Sequence, residues 1–182
     1  MDIYQPSDDS YLMQNTLKKF LKKKQKTIAI LDMGSGSGIQ ALTCRRLGFK
    51  NIKSADINLE AVKLLREKKL EVIYSDLFSG IKKQKFDLIV FNPPYLPEDR
   101  LEPNASKIAT TAGKKGYEII VRFLSEAKPY LKPTSTILLL FSSLSKPPII
   151  KKKALELGYI YKLLERKRLF FEELFVYEFK LN

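Results

Sequence analysis

Four consecutive residues near the middle of the chain, Asn92, Pro93, Pro94 and Tyr95, have groups suited to chemistry on a planar nitrogen. An amide or exocyclic amino nitrogen is a poor nucleophile because its lone pair is delocalised, and its N–H groups are too weakly acidic for any side chain here to deprotonate. The Asn92 side-chain oxygen and the Pro93 carbonyl could instead accept both hydrogens while the nitrogen attacks a methyl sulfonium in line. The two prolines fix the direction of that carbonyl, and Tyr95 offers an aromatic face. The simpler alternative is a proline turn that follows a strand.

A glycine-rich segment, LDMGSGSG at residues 31–38, is the second group with chemical potential. It follows an apolar run and precedes a helical pattern, as a nucleotide-binding loop does. Its three glycines, Gly34, Gly36 and Gly38, allow tight turns and close approach to a ligand. A dinucleotide loop would place the third glycine one residue later, and Asp32 would repel a pyrophosphate. The Asp32 carboxylate suits the ammonium group of S-adenosylmethionine, although a turn without a ligand is the alternative.

Two more aspartates follow predicted strands. Asp56 ends the second strand, where such folds bind ribose hydroxyls, and Asp76 follows the third, where a carboxylate can accept from an adenine amine. Either one alone could be a surface turn or a helix cap. Together with Asp32, they favour an adenosine-containing ligand at the carboxyl ends of the strands.

These groups require a parallel α/β sheet to hold them. The hydrophobic pattern predicts five strands that alternate with helices, followed by a closing antiparallel pair, so we expect a seven-stranded, mostly parallel sheet with helices on both faces. Ser7 or Asp8 is the expected N-cap of the first helix. Residues 96–115 are predicted to form a long loop over the site. The predicted strands span residues 27–33, 51–56, 70–75, 86–91, 136–141, 159–165 and 174–180, and the predicted helices span residues 8–24, 38–47, 58–69, 116–131 and 147–157.

Composition excludes several classes of chemistry. The 182 residues include no histidine and one cysteine, Cys44, so Ser-His-Asp catalysis, an internal disulfide and a histidine-based metal site are excluded, and we expect no metal. No apolar run reaches the roughly 20 residues that span a bilayer. We expect one domain over residues 1–182, with residues 1–25 as an N-terminal helix and lid, in a cytoplasmic protein. The net charge of +13 indicates either a lysine-biased surface or proximity to RNA or the ribosome.

The motifs LDMGSGSG, SADIN, SDLF and FNPPY together resemble those of class I methyltransferases that modify planar nitrogens. The segment YQPSDDSYL at residues 4–12, AGKKGYEIIVRFL at 112–124 and FEELFVY at 171–177 are similar to segments of the HemK-like glutamine methyltransferases. The resemblance is closest to the short archaeal and eukaryotic branch. It implies a Rossmann-like fold and methylation of the glutamine in the Gly-Gly-Gln motif of class I release factors. NPPY alone is shared with nucleic-acid methyltransferases, so an RNA or DNA amino-group methyltransferase is the alternative.

The resemblance also implies roles for individual residues. Asn92 to Tyr95 would hold the glutamine, and Asn92 would touch both cofactor and substrate. Gln5, Ser7 and Lys114 depart from the family pattern, the first two in the lid and the third after the NPPY loop. The implied partners are the release factor and a small zinc-binding activator, for which residues 70–74 could provide an edge strand. The residues implied to bind S-adenosylmethionine are Ser10, Asp32, Gly34, Asp56, Asp76, Leu77 and Asn92, beside Gly36 and Gly38 of the loop.

Overall fold

The computed structural model describes residues 3–96 and 115–182. Most of the loop predicted for residues 96–115, including Lys114, lies outside the described residues. The described chain forms a seven-stranded sheet with the strand order β3-β2-β1-β4-β5-β7-β6. The strands are β1 (Ile30–Met33), β2 (Ile52–Asp56), β3 (Glu71–Tyr74), β4 (Phe86–Phe91), β5 (Leu131–Ser142), β6 (Tyr159–Arg168) and β7 (Glu173–Leu181).

Strand directions confirm the predicted mostly parallel sheet. β1 pairs in parallel with β2 and β4, and the outer pairs β2–β3 and β4–β5 are also parallel. β7 pairs antiparallel with both β5 and β6, and this is the predicted closing pair. β4 lies inside the sheet and is almost wholly buried, which explains its nearly continuous apolar sequence FDLIVF.

Helices cover both faces of the sheet, as expected. They are α1 (Asp8–Leu21), α2 (Ile39–Arg46), α3 (Leu59–Glu67), α4 (Glu118–Ala127) and α5 (Pro147–Glu156). Apolar residues of α1, α2 and α3 pack on one face, and those of α4 and α5 pack on the other. In the strands, alternate residues face the two layers, so that Ile30 joins the first cluster and Leu31 the second. Within residues 3–96 and 115–182, no helix has the length and apolar character to cross a membrane.

Proline explains the largest difference between prediction and structure. The helix predicted for residues 116–131 ends at Ala127, and a 3-10 turn, Lys128–Tyr130, follows it. Pro129 has no N–H to continue the helical hydrogen bonds. β5 then begins five residues before the predicted start at 136, and β6 extends three residues past the predicted end at 165. Ser7 is the N-cap of α1, but its side chain makes no capping hydrogen bond.

The strand order reverses between β1 and β4. From β1 the chain proceeds to β2 and β3 on one side, whereas β4 and β5 lie on the other. The loops after β1 and β4 therefore leave the sheet in opposite directions and open a crevice at its carboxyl edge, where open α/β sheets bind ligands. The glycine loop follows β1 and Asn92 follows β4, so the topology brings the two sequence motifs together.

Alanine substitutions at Gly38 and Gly48 allow the cost of backbone strain to be measured separately from the cost of a steric clash. Both have left-handed backbone, with φ of +81° and +87°, but a Cβ on Gly38 would lie 2.5 Å from the buried Leu65 Cδ2, whereas nothing lies within 4 Å at Gly48. We expect Gly48→Ala to lower the free energy of unfolding by about 1–2 kcal/mol through strain. Gly38→Ala should lower it by about 1–3 kcal/mol more through overpacking. Chemical denaturation measures both, and equal losses would contradict the steric argument.

Candidate active site at the carboxyl edge of the sheet

A cavity of about 550 Å³ opens at the reversal of the strand order. This volume falls in the range of sites that bind small molecules and cofactors. The walls come from the N-terminal segment, the loops after the first four strands, and α4. Predicted site residues that line the cavity are Ser10, Asp32, Gly34, Gly36, Asp56, Asp76, Leu77, Asn92, Pro93, Pro94 and Tyr95.

The orientation of the Asn92 amide is set by the N-terminal segment. Asn92 Nδ2 donates to Asp9 Oδ2 at 2.9 Å, and the Tyr4 hydroxyl donates to Asp9 Oδ1 at 3.1 Å. Asp9 is itself buried, and an ionised carboxylate only accepts hydrogen bonds, so the Asn92 nitrogen must face it. Asn92 Oδ1 then points away from Asp9, is buried, and has no hydrogen-bond partner among the described residues. The arrangement leaves one oriented acceptor at the end of β4.

Pro93 is buried, and Pro94 and Tyr95 are half-buried. The Tyr95 carbonyl accepts a hydrogen bond from Ser145 Oγ at 2.9 Å, which ties this segment to the turn after β5. The Tyr95 ring packs against the apolar clusters of both faces of the sheet. Burial raises the pKa of the Tyr95 hydroxyl, and the carboxylates of Asp9 and Glu172 raise it further. Tyr95 is therefore a neutral phenol at physiological pH.

Asp32 holds the backbone of α2 through a hydrogen bond, and the pKa of its carboxyl group is raised. Its side chain is buried, and its Oδ2 accepts from the Ala41 backbone N–H at 3.0 Å, in the first turn of α2. Burial, and to a lesser degree the carboxylate of Asp56, raise the pKa of Asp32 to about 7. The carboxylate thus fastens the helix that follows the glycine loop. A cationic group beside it would favour the ionised form.

Asp56 organises the glycine loop from the neighbouring strand. Its Oδ2 accepts from the Gly36 N–H at 2.7 Å, and its Oδ1 accepts from the Asn58 N–H at 2.8 Å. Burial raises the pKa of Asp56 as well. Gly34 has a φ of +59°, and a Cβ there would lie 3.1 Å from the Phe91 ring. Glycine is therefore needed at 34 for both conformation and space.

The loop after β3 presents Asp76 and Leu77. Asp76 is half-exposed and forms an ion pair with Arg122 of α4 at 3.0 Å. Leu77 is buried although its φ is +46°, an unfavourable conformation for a residue with a side chain. Ser75 Oγ donates to the Leu77 carbonyl at 2.6 Å and accepts from the Gly80 N–H at 2.8 Å, which holds this turn. Leu77, with its strained backbone conformation, therefore lies in the cavity wall.

Ser10 is buried in the first turn of α1 and lines the cavity. Its carbonyl accepts from Gln40 Nε2 at 2.9 Å, and its N–H donates to Asp9 Oδ1 at 2.6 Å. Gln40 Oε1 is buried without a partner among the described residues. The Gln40 amide therefore attaches α1 to α2 over the glycine loop.

Sequence reasoning missed four residues that shape this site: Asp9, Tyr4, Gln40 and Arg122. Tyr4 and Asp9 lie within the segment 4–12 that carried the family resemblance, but no role was predicted for them. Arg122 could have been suspected as the lone cation in the apolar stretch EIIVRFL. Gly38, by contrast, was predicted for the site but does not line the cavity, because it is the N-cap of α2 and faces Leu65.

The residues fit S-adenosylmethionine. A buried carboxylate with a raised pKa, Asp32, lies beside the loop where an ammonium group would be expected. Asp56 offers acceptor oxygens near the end of β2 for hydroxyl groups. The cavity volume of about 550 Å³ is sufficient for a cofactor of this size.

Comparisons of the sequence with known proteins agree with this chemistry. Residues 10–156 match the model of the methyltransferase small domain family. A protein of Methanocaldococcus jannaschii, provisionally named a protein N5-glutamine methyltransferase, is 37% identical, with 96% of this chain and 90% of that protein aligned. The release factor glutamine methyltransferase of Shewanella oneidensis is 32% identical, and the match covers 84% of this chain but 57% of that protein.

A solved structure has a similar fold. The Mtq2-Trm112 complex of E. cuniculi, described as responsible for methylation of the eRF1 translation termination factor, matches with a TM-score of 0.81. The alignment covers 100% of both chains at 24% sequence identity. This likeness establishes a Rossmann-like methyltransferase fold.

The charge state of Asp32 predicts a pH dependence of cofactor affinity. Below pH 7 an increasing fraction of Asp32 is protonated and loses its attraction for the ammonium group, which stays protonated there because its pKa is about 8. Affinity for S-adenosylmethionine should therefore fall as pH drops from about 7.5 to 5.5, by up to about tenfold per unit. Calorimetry measures this slope.

The matched variant for this prediction is Asp32→Asn, which keeps the shape and the hydrogen-bond acceptor but removes the titrating charge. We expect weaker binding with a much flatter pH profile. An unchanged slope in the variant would assign the titration to another group, and Asp56 would be the first to test because burial raises its pKa too.

Proposed function

The chain belongs to the methyltransferase small domain family as a HemK-like class I methyltransferase, and on that premise we propose that it methylates the side-chain amide of a protein glutamine. The single observation that carries this proposal is the Asn92 amide, whose nitrogen is held by Asp9 while its buried oxygen has no partner in the described chain. An unpartnered acceptor fixed in advance on a residue of the cavity wall suits a primary amide, since both of its N–H groups must be held.

The chain's own residues would act on the glutamine by position. The Asn92 oxygen and the Pro93 carbonyl accept the two N–H groups, and the half-buried Tyr95 ring packs against the planar amide. With both hydrogens held, the nitrogen loses conjugation with its carbonyl and its lone pair can point along the line of attack. The new N–C bond would form as the bond between the methyl carbon and the sulfonium sulfur breaks, with its electron pair left on sulfur. The nitrogen, then positively charged, would release one proton to solvent. The neutral Tyr95 and the lack of a side chain basic enough to deprotonate an amide both agree with this order.

S-adenosylmethionine supplies the electrophilic methyl group on a sulfonium when bound. Asp32 would hold its ammonium group, Asp56 its ribose hydroxyls and Asp76 its adenine amine, while Leu77 and Ser10 complete the walls. Gly34 and Gly36 allow the backbone to approach it closely. Arg122 forms an ion pair with the Asp76 carboxylate at 3.0 Å and therefore fixes the direction in which the free lone pairs of that carboxylate point.

A class I translation release factor is the protein substrate that we propose, at the glutamine of its Gly-Gly-Gln motif. The relative from Shewanella oneidensis carries release factor glutamine methylation in its name, and the E. cuniculi complex methylates a termination factor. This substrate would place the reaction in the cytoplasm, near the ribosome. The net charge of +13 agrees with such surroundings. The same charge also supports the alternative hypothesis, a methyltransferase that modifies amino groups of nucleic acids.

One experiment separates the two substrates. The purified chain is incubated with labelled S-adenosylmethionine and, in separate reactions, a release factor from the same organism, its Gln→Ala variant in Gly-Gly-Gln, and total RNA. We expect label on the wild-type factor only. Label on RNA would overturn the glutamine assignment, and label on both factors would place the methyl group elsewhere in the protein.

A small activator protein is the further partner that we propose, and β3 is the surface for it. β3 lies at one edge of the sheet of described strands, with Tyr74 exposed, so its outer backbone groups can pair with a strand of another protein. The E. cuniculi structure is a complex of two proteins. The labelling reactions are therefore run with and without a co-expressed candidate of this kind. A release factor labelled equally well in both conditions would remove the activator from the proposal.

Asn92→Ala tests the proposed mechanism. Loss of an oriented acceptor should lower kcat by about 10²–10³-fold. The Asp9 carboxylate keeps its hydrogen bonds from Tyr4 and Ser10, so the free energy of unfolding should fall by no more than about 1–3 kcal/mol. Asp9→Asn should lower kcat less, by about tenfold, because an amide at position 9 no longer forces the Asn92 nitrogen to face it. Steady-state kinetics on the release factor measure both effects.

The control is Asp8→Asn, which makes the same charge change one residue away at an exposed position. Its kcat should stay within about twofold of the unmodified chain, on the scale of an exposed ion pair. A similar loss in the Asp8 and Asp9 variants would show a general effect of charge. Full activity of Asn92→Ala would rule out the proposed role of its amide.

A further inference from the structure

Two phenylalanines at the turn between β6 and β7 are exposed to solvent, unlike the other phenylalanines of the chain. Phe170 and Phe171 are 92% and 86% exposed, whereas the other nine phenylalanines are buried or half-buried. Their rings touch each other edge to face, with centroids 4.6 Å apart. Exposed aromatic pairs on a soluble protein are unfavourable in water and are enriched where proteins bind one another.

The turn that carries the two rings is held in place. The Leu169 N–H donates to the Glu172 carbonyl at 2.8 Å, which closes the turn, and the Glu173 N–H donates to Ser143 Oγ at 3.0 Å. Lys167 forms an ion pair with Asp8 at the start of α1. Leu169 packs against the apolar cluster beneath α1, α2 and α3. The aromatic pair is therefore presented on a fixed support, which lowers the entropy lost on binding.

This turn lies beside the proposed glutamine site. Leu174 at the start of β7 pairs with Ser142 at the carboxyl end of β5, so the turn extends past the edge of the sheet where the cavity opens. Hydrogen bonds to the segment after β5 link the two sites: Ser143 Oγ accepts from the Glu173 N–H at 3.0 Å, and Ser145 Oγ donates to the Tyr95 carbonyl at 2.9 Å. The carboxylate of Glu172 also contributes to the raised pKa of both Tyr4 and Tyr95. A macromolecule whose glutamine enters at Tyr95 would meet the two rings.

Charge indicates which kind of macromolecule fits. Although the chain carries +13 in total, residues 165–173 contain three cations and three carboxylates and have no net charge. Lys167 and Arg166 form ion pairs with Asp8 and Glu173, which leaves Arg168 as the one cation of this segment without an ion pair among the described residues. A neutral, apolar surface does not favour a polyanion, which needs unpaired cations. It favours an apolar patch on a folded protein.

We propose that Phe170 and Phe171 form a docking site for the folded substrate protein, which contacts an apolar patch next to its glutamine loop. This inference rests on the proposed function, since it needs a protein substrate. The glutamine amide by itself is a common group, and a contact outside the cavity would distinguish the correct protein from others that expose glutamine. Binding at the turn is uniform between ground and transition states, so it acts on KM and leaves kcat unchanged.

The test compares a folded release factor with a short peptide that contains its Gly-Gly-Gln loop. In the double variant Phe170→Ala and Phe171→Ala, we expect KM for the folded factor to rise by about tenfold or more, with kcat unchanged. Kinetics on the peptide should match the unmodified chain, because the peptide is too short to reach the turn. The matched control is Leu155→Ala with Ile160→Ala, which removes two exposed apolar side chains away from this turn and should leave both substrates unaffected.

The outcomes separate this proposal from the function it rests on. If the unmodified chain labels no protein or peptide glutamine, with or without the candidate activator, the proposed function fails and the docking site with it. If it labels both, and the double variant treats the folded factor as the unmodified chain does, only the docking site is overturned. Parallel losses on factor and peptide would also overturn it, because the turn would then act through the cavity. A KM for the folded factor that rises steeply between about 50 and 200 mM salt would indicate a polyanion-type contact and contradict the apolar one.

Discussion

The hydrogen bond from the Asn92 amide to Asp9 is the constraint on which the rest of the site depends. An asparagine amide has two similar ends, and free rotation would present a donor to the substrate as often as an acceptor. The buried carboxylate removes that ambiguity because it accepts only. The N-terminal segment therefore both lines the cavity and fixes the Asn92 amide, and Tyr4 adds a hydrogen bond to the other carboxylate oxygen of Asp9.

Buried polar groups connect this bond to the glycine loop. The Ser10 backbone joins Asp9 to Gln40 of α2, and α2 begins where Asp32 holds the Ala41 N–H. The same helix follows a loop whose Gly36 N–H is held by Asp56. Because these groups are buried, apart from the half-buried Gly36, an unpaired state would be costly, so the two halves of the crevice are positioned together. Carboxylates that the sequence offered as ligand contacts thus have a second task, which is to hold the backbone around the ligand.

The sequence predicted the fold well where local pattern and packing agree. The apolar run of β4 and the alternation of strands with helices led to the correct sheet and to helices on both faces. Boundaries were less accurate where one residue changed the local geometry, as Pro129 does by ending α4 and starting β5 early. The closing pair was predicted shorter than it is, because the polar outer residues of β6 resemble a loop in sequence while backbone pairing with β7 continues to Arg168.

The sequence by itself indicated the chemistry. Three aspartates at strand ends and a glycine loop indicate a class of cofactor, and NPPY indicates a planar nitrogen as the methylated group. Each of these motifs consists of residues close together in the chain, so each can be recognised without a structure. Only the tertiary structure decided which groups meet. Asp9 and Asn92 are separated by 83 positions, and Asp76 and Arg122 by 46, so no local pattern could pair them. The exposure of Phe170 and Phe171 was also decided by the tertiary structure, because phenylalanine is an apolar residue that is usually buried. Their exposure follows from the hairpin extending past the sheet, where no other layer of the described chain covers it.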